Sequence, residues 1–415
     1  MPWERVSAID SMRRNVTGSN TGNMIFQQAV IKALSVPGQE VARATNKSPH
    51  PDQADRINEQ GGMLVLPLSN WFRPNFAARL DRAAEMVRRV KGPVVVVGVG
   101  CQADLDYDVD ALASIAEPAR RFVSAVLDKS ASIGVRGECT AAFLHKLGFR
   151  DVEVIGCPSM FMDGPSFPEL STVSRFDRGT KLSVNISPEH HQAAFSSGTG
   201  KVGRIIAAAV RDHDDVEYVP QENGSIHGLL FARSSATPEH GDIPEHAYRQ
   251  MHGRGAVVAF VDPRTWSEHL GKRDFVFGTR LHGCIAGLLG GTPAHLVAHD
   301  SRTLELARYF QIPHTTTRDL DPDESAASIH DRSDFTAMFS GHRERFDRYA
   351  AFLARNGLRD VFTDDGGGGG GAFDRRLAAA RLAPPVRPAS PGRPDVLMRR
   401  AGAAIRRALG GRPER

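Results

Sequence analysis

Short runs of wholly apolar residues that stop at glycine constrain this chain most, above all Val94-Val95-Val96-Val97-Gly98 and Phe275-Val276-Phe277-Gly278. A strand with no polar alternation must be covered on both faces, which is the condition of a parallel sheet held between helices. The first series predicts strands over 63–68, 94–100, 131–135 and 152–155, with helical periods near 24–34, 76–89, 117–128 and 138–147. A stretch rich in Pro, Ser and Asp over 164–180 suits an interdomain connection. The second series predicts strands over 182–186, 216–219, 256–261, 275–277 and 294–298, with helices near 201–212, 243–251, 265–270, 284–289 and 303–310. Such alternation implies two Rossmann-like α/β domains, residues 1–165 and 178–360. A long helix over 334–356 can pack back across them.

Chemistry belongs at the carboxyl ends of those strands, where open α/β sheets hold ligands. Gly278-Thr279 ends the second apolar run, so Arg280 and His282 emerge at that edge. The helix that begins after them points free backbone N–H groups the same way, and such a terminus favours anions. Gly290-Gly291-Thr292-Pro293 closes it. Arg280 either touches a ligand or pairs with Asp274 or Asp300 to fix the turn. His295 and His299 share one face of the next strand, and only His299 nears the ligand edge. Thr17 to Asn23, with Asn20, Gly22 and Asn23, is either a ligand loop or a plain helix cap. Gly100 and Gln102 end a central strand and are candidates to line the cleft, while Gln221 and Glu222 are candidates to meet a sugar.

The segments RLHG, GTP and HDSRT, in that order around an apolar helix and strand, resemble the carboxyl-terminal signature of the polysaccharide pyruvyl transferase family. TGSNTGNMIF, VVVVGVGCQ and SIGVRGECTAAFLHKLGFRDVEVIGCPSMFM are similar to its upstream segments, in family order, across most of residues 18–312. The resemblance implies two domains facing across a cleft in a glycosyltransferase-B-like arrangement. It also implies transfer of pyruvate from phosphoenolpyruvate onto two hydroxyls of one sugar residue, as a cyclic ketal, with release of phosphate. Arg136, His282 and Arg302 fall at the family's donor positions, although many relatives have Lys where Arg302 stands. A small trianionic donor suits arginines, whose planar fork binds phosphate and carboxylate bidentately. His282 would be the catalytic residue, either as proton donor to the enolpyruvyl methylene carbon or as a cationic phosphate ligand. The acceptor would be a polymer, lipid-linked or nucleotide-linked sugar. Phosphoenolpyruvate is then a co-substrate, and no cofactor or metal is expected. Two alternatives share the architecture: a glycosyltransferase using a nucleotide sugar, and a catalytically silent carbohydrate-binding relative.

Composition bounds the rest. The 415 residues carry a net charge of +4, but residues 372–415 hold eleven Arg against three acids, or +8, leaving 4 − 8 = −4 for the remainder. The basic balance is therefore a property of the tail and gives no reason to expect nucleic acid as a partner. Cys101, Cys139, Cys157 and Cys284 form no CxxC pair, and no apolar run is long enough to span a bilayer. Together with an amino terminus that lacks an apolar signal core, these features lead us to expect a cytoplasmic protein. Residues 364–415, opening with Asp364, Asp365 and six glycines, are expected to be a flexible tether and basic tail. Within it, 396–409 has an amphipathic period that suits either peripheral contact with the inner face of an anionic membrane or a solvated tail.

Overall fold

The computed structural model describes residues 1–388 apart from 5, 19, 44–48, 188–198, 232–241, 365 and 367. The first sheet region contains β1 (Leu64–Pro67), β2 (Asn70–Phe72), β3 (Val94–Val97), β4 (Gly100–Cys101), β5 (Ile133–Val135) and β6 (Val152–Val154). β1 runs parallel to β3, with Leu64 opposite Val94, and β5 runs parallel to β6, with Ile133 opposite Val152. The pairs are joined because the Gly98 and Val99 N–H groups both donate to the Gly134 carbonyl, at 2.9 and 3.1 Å. β3 shows why its sequence carries no polar residue. Val94 and Val96 pack with Leu80, Val87 and Phe122 on one face, while Val95 and Val97 pack with Phe26, Val30 and Leu34 on the other.

The second sheet contains β7 (Leu182–Asn185), β8 (Val216–Tyr218), β9 (Phe275–Gly278), β10 (Ala294–Ala298) and β11 (His314–Thr316). All pairs are parallel, in the order β11-β10-β9-β7-β8. β7 is therefore the first strand laid down yet lies inside, with β8 on one side and the rest of the series on the other, as in a doubly wound fold. An apolar layer joins the two sheets. Helix Asn23–Leu34, the turn Pro158–Phe161 and helix Leu281–Leu289 share one core, in which Phe161 stacks on Tyr349 at 5.0 Å.

Some sequence expectations need correction. The helix expected over 334–356 is two, Thr336–Ser340 and His342–Arg355, separated at Gly341. Glycine is about 1 kcal/mol poorer than alanine inside a helix, and here it marks the break. The second of these helices does cross back: Ser132 N–H donates to Asn356 Oδ1 at 3.2 Å, and Asn356 Nδ2 donates to Ser132 Oγ at 3.1 Å. The strand expected over 256–261 is reduced to two bridges, Val257 to Tyr218 and Ala259 to Val386.

The latter bridge belongs to a larger correction, since residues after the glycine run were expected to be a tether. Gly371–Ala378 is a helix whose Phe373 and Leu377 are buried, and Val386 exchanges backbone hydrogen bonds with Ala259 at 2.9 and 2.7 Å. Lys32, itself buried, reaches Asp163 at 3.1 Å and Asp374 at 2.9 Å. Gly368, Gly369 and Gly370 all have positive φ, so the glycines build a tight turn that returns the chain to the body. The 396–409 segment lies outside the described residues. Among the described residues no helix is long and apolar enough to cross a membrane.

Candidate active site

The order of the second sheet reverses between β7 and β9, the point at which open α/β sheets hold ligands beyond the carboxyl ends of their strands. Asn185 ends β7 and fixes the turn after β9. Its carbonyl accepts from Thr279 N–H at 3.1 Å, and its Oδ1 accepts from Arg280 N–H at 2.7 Å. Arg280 is the N-cap of helix Leu281–Leu289 and makes no side-chain capping bond. A Cβ on Gly283 would lie 2.7 Å from Asn185 Nδ2 and Gln221 Nε2, so glycine lets this helix seat deeply against the strand end.

The loop before the first long helix reaches the same place. Thr21 N–H donates to the Gln221 carbonyl at 2.9 Å, Asn20 bridges Glu222, and Asn20 Oδ1 accepts from Gly22 N–H at 2.8 Å. A Cβ on Gly22 would sit 2.7 Å from His282 Cβ. Asn23 holds the loop by donating to the Thr17 carbonyl at 2.8 Å, and the helix that follows has no side-chain cap. The segment is thus a wall against His282 and not a capping device.

From the first sheet, β5 delivers Arg136, which is 1% exposed. Its Nε donates to the Gly98 carbonyl at 2.7 Å, a second guanidinium nitrogen donates to the Leu68 carbonyl at 3.3 Å, and the Phe26 ring centroid lies 5.2 Å away. Gly100 lies directly beneath, where a Cβ would come within 3.0 Å of Arg136 Cδ. Arg302 enters from the helix Ser301–Phe310 and pairs with Asp300 at 3.2 Å. Gln102 ties the halves together by donating from Nε2 to Asp300 Oδ2 at 3.3 Å, while Ser301 N–H donates to the Ala103 carbonyl at 3.0 Å.

Electrostatics show how close these groups are. Burial, then the charges of Arg136, Arg302 and Arg280, hold the His282 imidazole well below its ordinary range, so it is neutral at pH 7 before any anion binds. Burial and Arg302 pull Arg280 down to about 10, and burial with the same neighbour lowers Arg136. Burial would raise the Asp300 carboxyl, but Arg302, His299 and Thr303 bring it below the usual value. Glu305, between Gly100, Gly137 and Thr140, is pushed by burial up to about 8 and is largely uncharged at pH 7. Arg280 forms its ion pair with Glu222. The fold therefore gathers three buried or half-buried guanidiniums around a neutral histidine, opposed by Glu222 and Asp300.

Arg136, Arg280, His282 and Arg302, predicted from two different domains, thus come together. The partner of Arg280 differs from expectation: Asp274 instead accepts from Lys181 N–H at 2.7 Å, which fixes the start of β9. His295 is structural, bonded to Ser333 at 2.9 Å and Thr315 at 3.0 Å. His299 is fully buried, 3.8 Å from Asp300, and is not exposed at the strand edge where the sequence placed it. Sequence reasoning missed Cys157, whose Sγ lies 3.6 Å from His282 Nε2 and accepts from Ser159 Oγ at 3.0 Å. It also missed that Cys101 and Cys139 meet at 3.2 Å, with Glu305 completing three ligand-type atoms within 4.8 Å of one another.

No curated protein matches the chain significantly. Solved structures with some likeness include a UDP-forming trehalose-phosphate synthase from Burkholderia xenovorans, at 11% identity over 80% of this chain and 77% of that one, TM-score 0.37. Its counterpart from Burkholderia vietnamiensis has 12% identity over 89% and 86%, TM-score 0.36. The glycosyltransferase SnogD from Streptomyces nogalater has 12% identity over 83% of each chain, TM-score 0.31. Likenesses this weak carry no argument. The polysaccharide pyruvyl transferase model, by contrast, matches residues 20–301, from the Asn20 loop through Arg136 and the Arg280–His282 turn to the residue before Arg302, and the chain belongs to the polysaccharide pyruvyl transferase family.

Proposed function

We propose that this enzyme moves pyruvate from phosphoenolpyruvate onto a sugar of a polysaccharide or its precursor, with His282 as the general acid and Arg136, Arg280 and Arg302 as donor ligands. The observation that carries this reading is the convergence of Arg136, Arg280 and Arg302, from two sheets, on the half-buried His282. A neutral imidazole adds little to phosphate binding where three guanidiniums already stand, but it is well placed to carry a proton. A bound trianion opposes both the burial and the arginine charges that keep it neutral, so the donor helps to charge its own acid.

In the proposed sequence His282 gives its proton to the methylene carbon, turning CH2 into CH3 and leaving an oxocarbenium-like centre at C2. One sugar hydroxyl adds there and a second displaces phosphate, closing the ketal. Of the two hydroxyl protons, one returns to His282 and the other leaves with phosphate, so the sum is donor plus diol to ketal plus phosphate. The test is phosphoenolpyruvate-dependent phosphate release across a panel of acceptor glycans. A glycosyltransferase would instead release a nucleoside diphosphate from a nucleotide sugar and leave phosphoenolpyruvate untouched.

A further inference from the structure

All four cysteines are buried, and three of them face the core. Cys101 and Cys139 meet at 3.2 Å, and Cys284 donates to the His295 carbonyl at 3.5 Å. Cys157 differs, because its Sγ lies 3.6 Å from His282 Nε2, within reach of a hydrogen bond to sulfur. It stands just past the carboxyl end of β6, beside β5 and its Arg136, on the ligand edge of the first sheet. The turn Pro158–Phe161 holds it in place: Met160 N–H donates to the Cys157 carbonyl at 3.1 Å, and Phe161 is stacked on Tyr349 in the core. Ser159 Oγ donates to Cys157 Sγ at 3.0 Å, so the sulfur is fixed from the side away from the imidazole.

A thiol in contact with an imidazole and oriented by a third group is the arrangement of an activated nucleophile. A second observation points to a ligand at the same place. Gln221 and Arg280 are 2% and 8% exposed, yet Gln221 Nε2 and Arg280 Nε have no hydrogen-bond partner among the described residues. A Cβ on Gly283, the residue after His282, would lie 2.7 Å from that Gln221 nitrogen, so the unpartnered donors border the His282 turn. Buried donors of this kind ask for an acceptor that the protein itself does not supply.

We propose that Cys157 is a further catalytic residue, whose sulfur captures C2 of the donor and holds the pyruvyl group as a covalent adduct until the acceptor sugar arrives. This deepens the donor reading above and rests on it. A methylene carbon that takes its proton from His282 lies about 3 Å from the imidazole, and C2 is one bond further on. Sulfur and C2 are then neighbours of one ring, within the ~3–3.5 Å that attack requires. The Sγ proton passes to His282 Nε2, and the imidazolium so formed gives a proton to C3, so the C2–C3 double bond is replaced by a C3–H and a C2–Sγ bond. The thiol thus supplies the proton that a neutral His282 lacks. One sugar hydroxyl next displaces the thiolate from C2, and its proton returns through His282 to sulfur. The second hydroxyl displaces phosphate as before, so the thiol is regenerated and the sum is unchanged. The Ser159 hydroxyl, already directed at Sγ, supports the sulfur as it leaves.

The experiment is mass spectrometry of the full-length protein, quenched in acid after incubation with phosphoenolpyruvate and no acceptor, for the wild type, Cys157→Ser and Cys157→Ala. Phosphoenolpyruvate calorimetry and donor-dependent phosphate release are measured on the same preparations. Wild type should gain the mass of one intact phosphoenolpyruvate on the peptide that carries Cys157, and neither variant should. Both variants should bind phosphoenolpyruvate within a few-fold of wild type and release phosphate at least about a hundredfold more slowly. A thiol that only positioned His282 would behave otherwise, because serine keeps a hydrogen bond to Nε2 and would restore the turnover that alanine loses. Wild type that binds phosphoenolpyruvate yet carries no adduct, an adduct on another residue, or wild-type turnover in Cys157→Ser would overturn the proposal. Should the variants fail to bind the donor, the wild-type adduct decides alone. Binding without an adduct removes the covalent step and leaves the donor reading standing, whereas a wild type that does not bind phosphoenolpyruvate removes both.

Discussion

Arg136 illustrates how a residue can be recognised in sequence while its reason for being arginine is not. Its position after an apolar strand was legible, but the two carbonyls that hold it, Gly98 and Leu68, come from other strands. A lysine keeps the charge and loses the fork that spans both acceptors and leaves nitrogens for a ligand. Arg136→Lys should therefore weaken phosphoenolpyruvate binding about 10- to 100-fold, the worth of one charged hydrogen bond or more, while the folded fraction stays high. Steady-state KM for the donor and a thermal melt check this together. An unchanged KM would remove Arg136 from the donor set. Cys157 carried no such signal, because its contact with His282 joins residues 125 positions apart.

At the scale of elements, wholly apolar strands were easiest to read. β3 and β9 are buried along their full length, so burial left one pattern available to them. β11, His-Thr-Thr at the sheet edge, is only partly buried and carries no such pattern. The glycine run misled for a different reason. Composition says that six glycines cannot form a core, but it says nothing of whether the next segment does. Phe373, against Trp3, and Leu377 are buried on the helix whose Asp374 reaches Lys32, and burying two such side chains is worth about 3–6 kcal/mol. Ending the chain after Gly370 should lower the melting temperature markedly relative to ending it after residue 388, and should expose the Ala259 edge. Equal melting of the two truncations would show that the helix is dispensable.

Across the whole molecule, buried and half-buried neutral histidines link stability to pH. Burial first, with neighbouring arginines, depresses His282 well below the ordinary value, His299 to about 4 and His295 to about 3. Below about pH 6.5 the unfolded chain protonates these groups and the folded chain does not, so the unfolded state binds more protons and stability falls as pH falls. Glu305 acts oppositely, because its raised value of about 8 makes the folded state the better proton binder between pH 4.5 and 8. His342 is lowered by burial as well and the Asp262 carboxyl is raised, so four histidines stand against two carboxyls and stability falls between pH 6.5 and 5. Denaturant midpoints across that window should fall, and His295→Asn should shrink the slope. A flat or rising profile would show that these histidines are charged in the folded protein.

The convergence of two sheets on one arginine-lined histidine makes His282 the centre of the account, and His282→Gln tests it most directly. Glutamine keeps a hydrogen-bond donor but cannot protonate carbon. Phosphoenolpyruvate affinity by calorimetry and donor-dependent phosphate release should be measured on the same preparation. Affinity should stay within a few-fold of the parent while turnover falls by ~10²–10⁴, the usual worth of a general acid. Full turnover in a folded variant, or affinity lost in proportion to turnover, would contradict it.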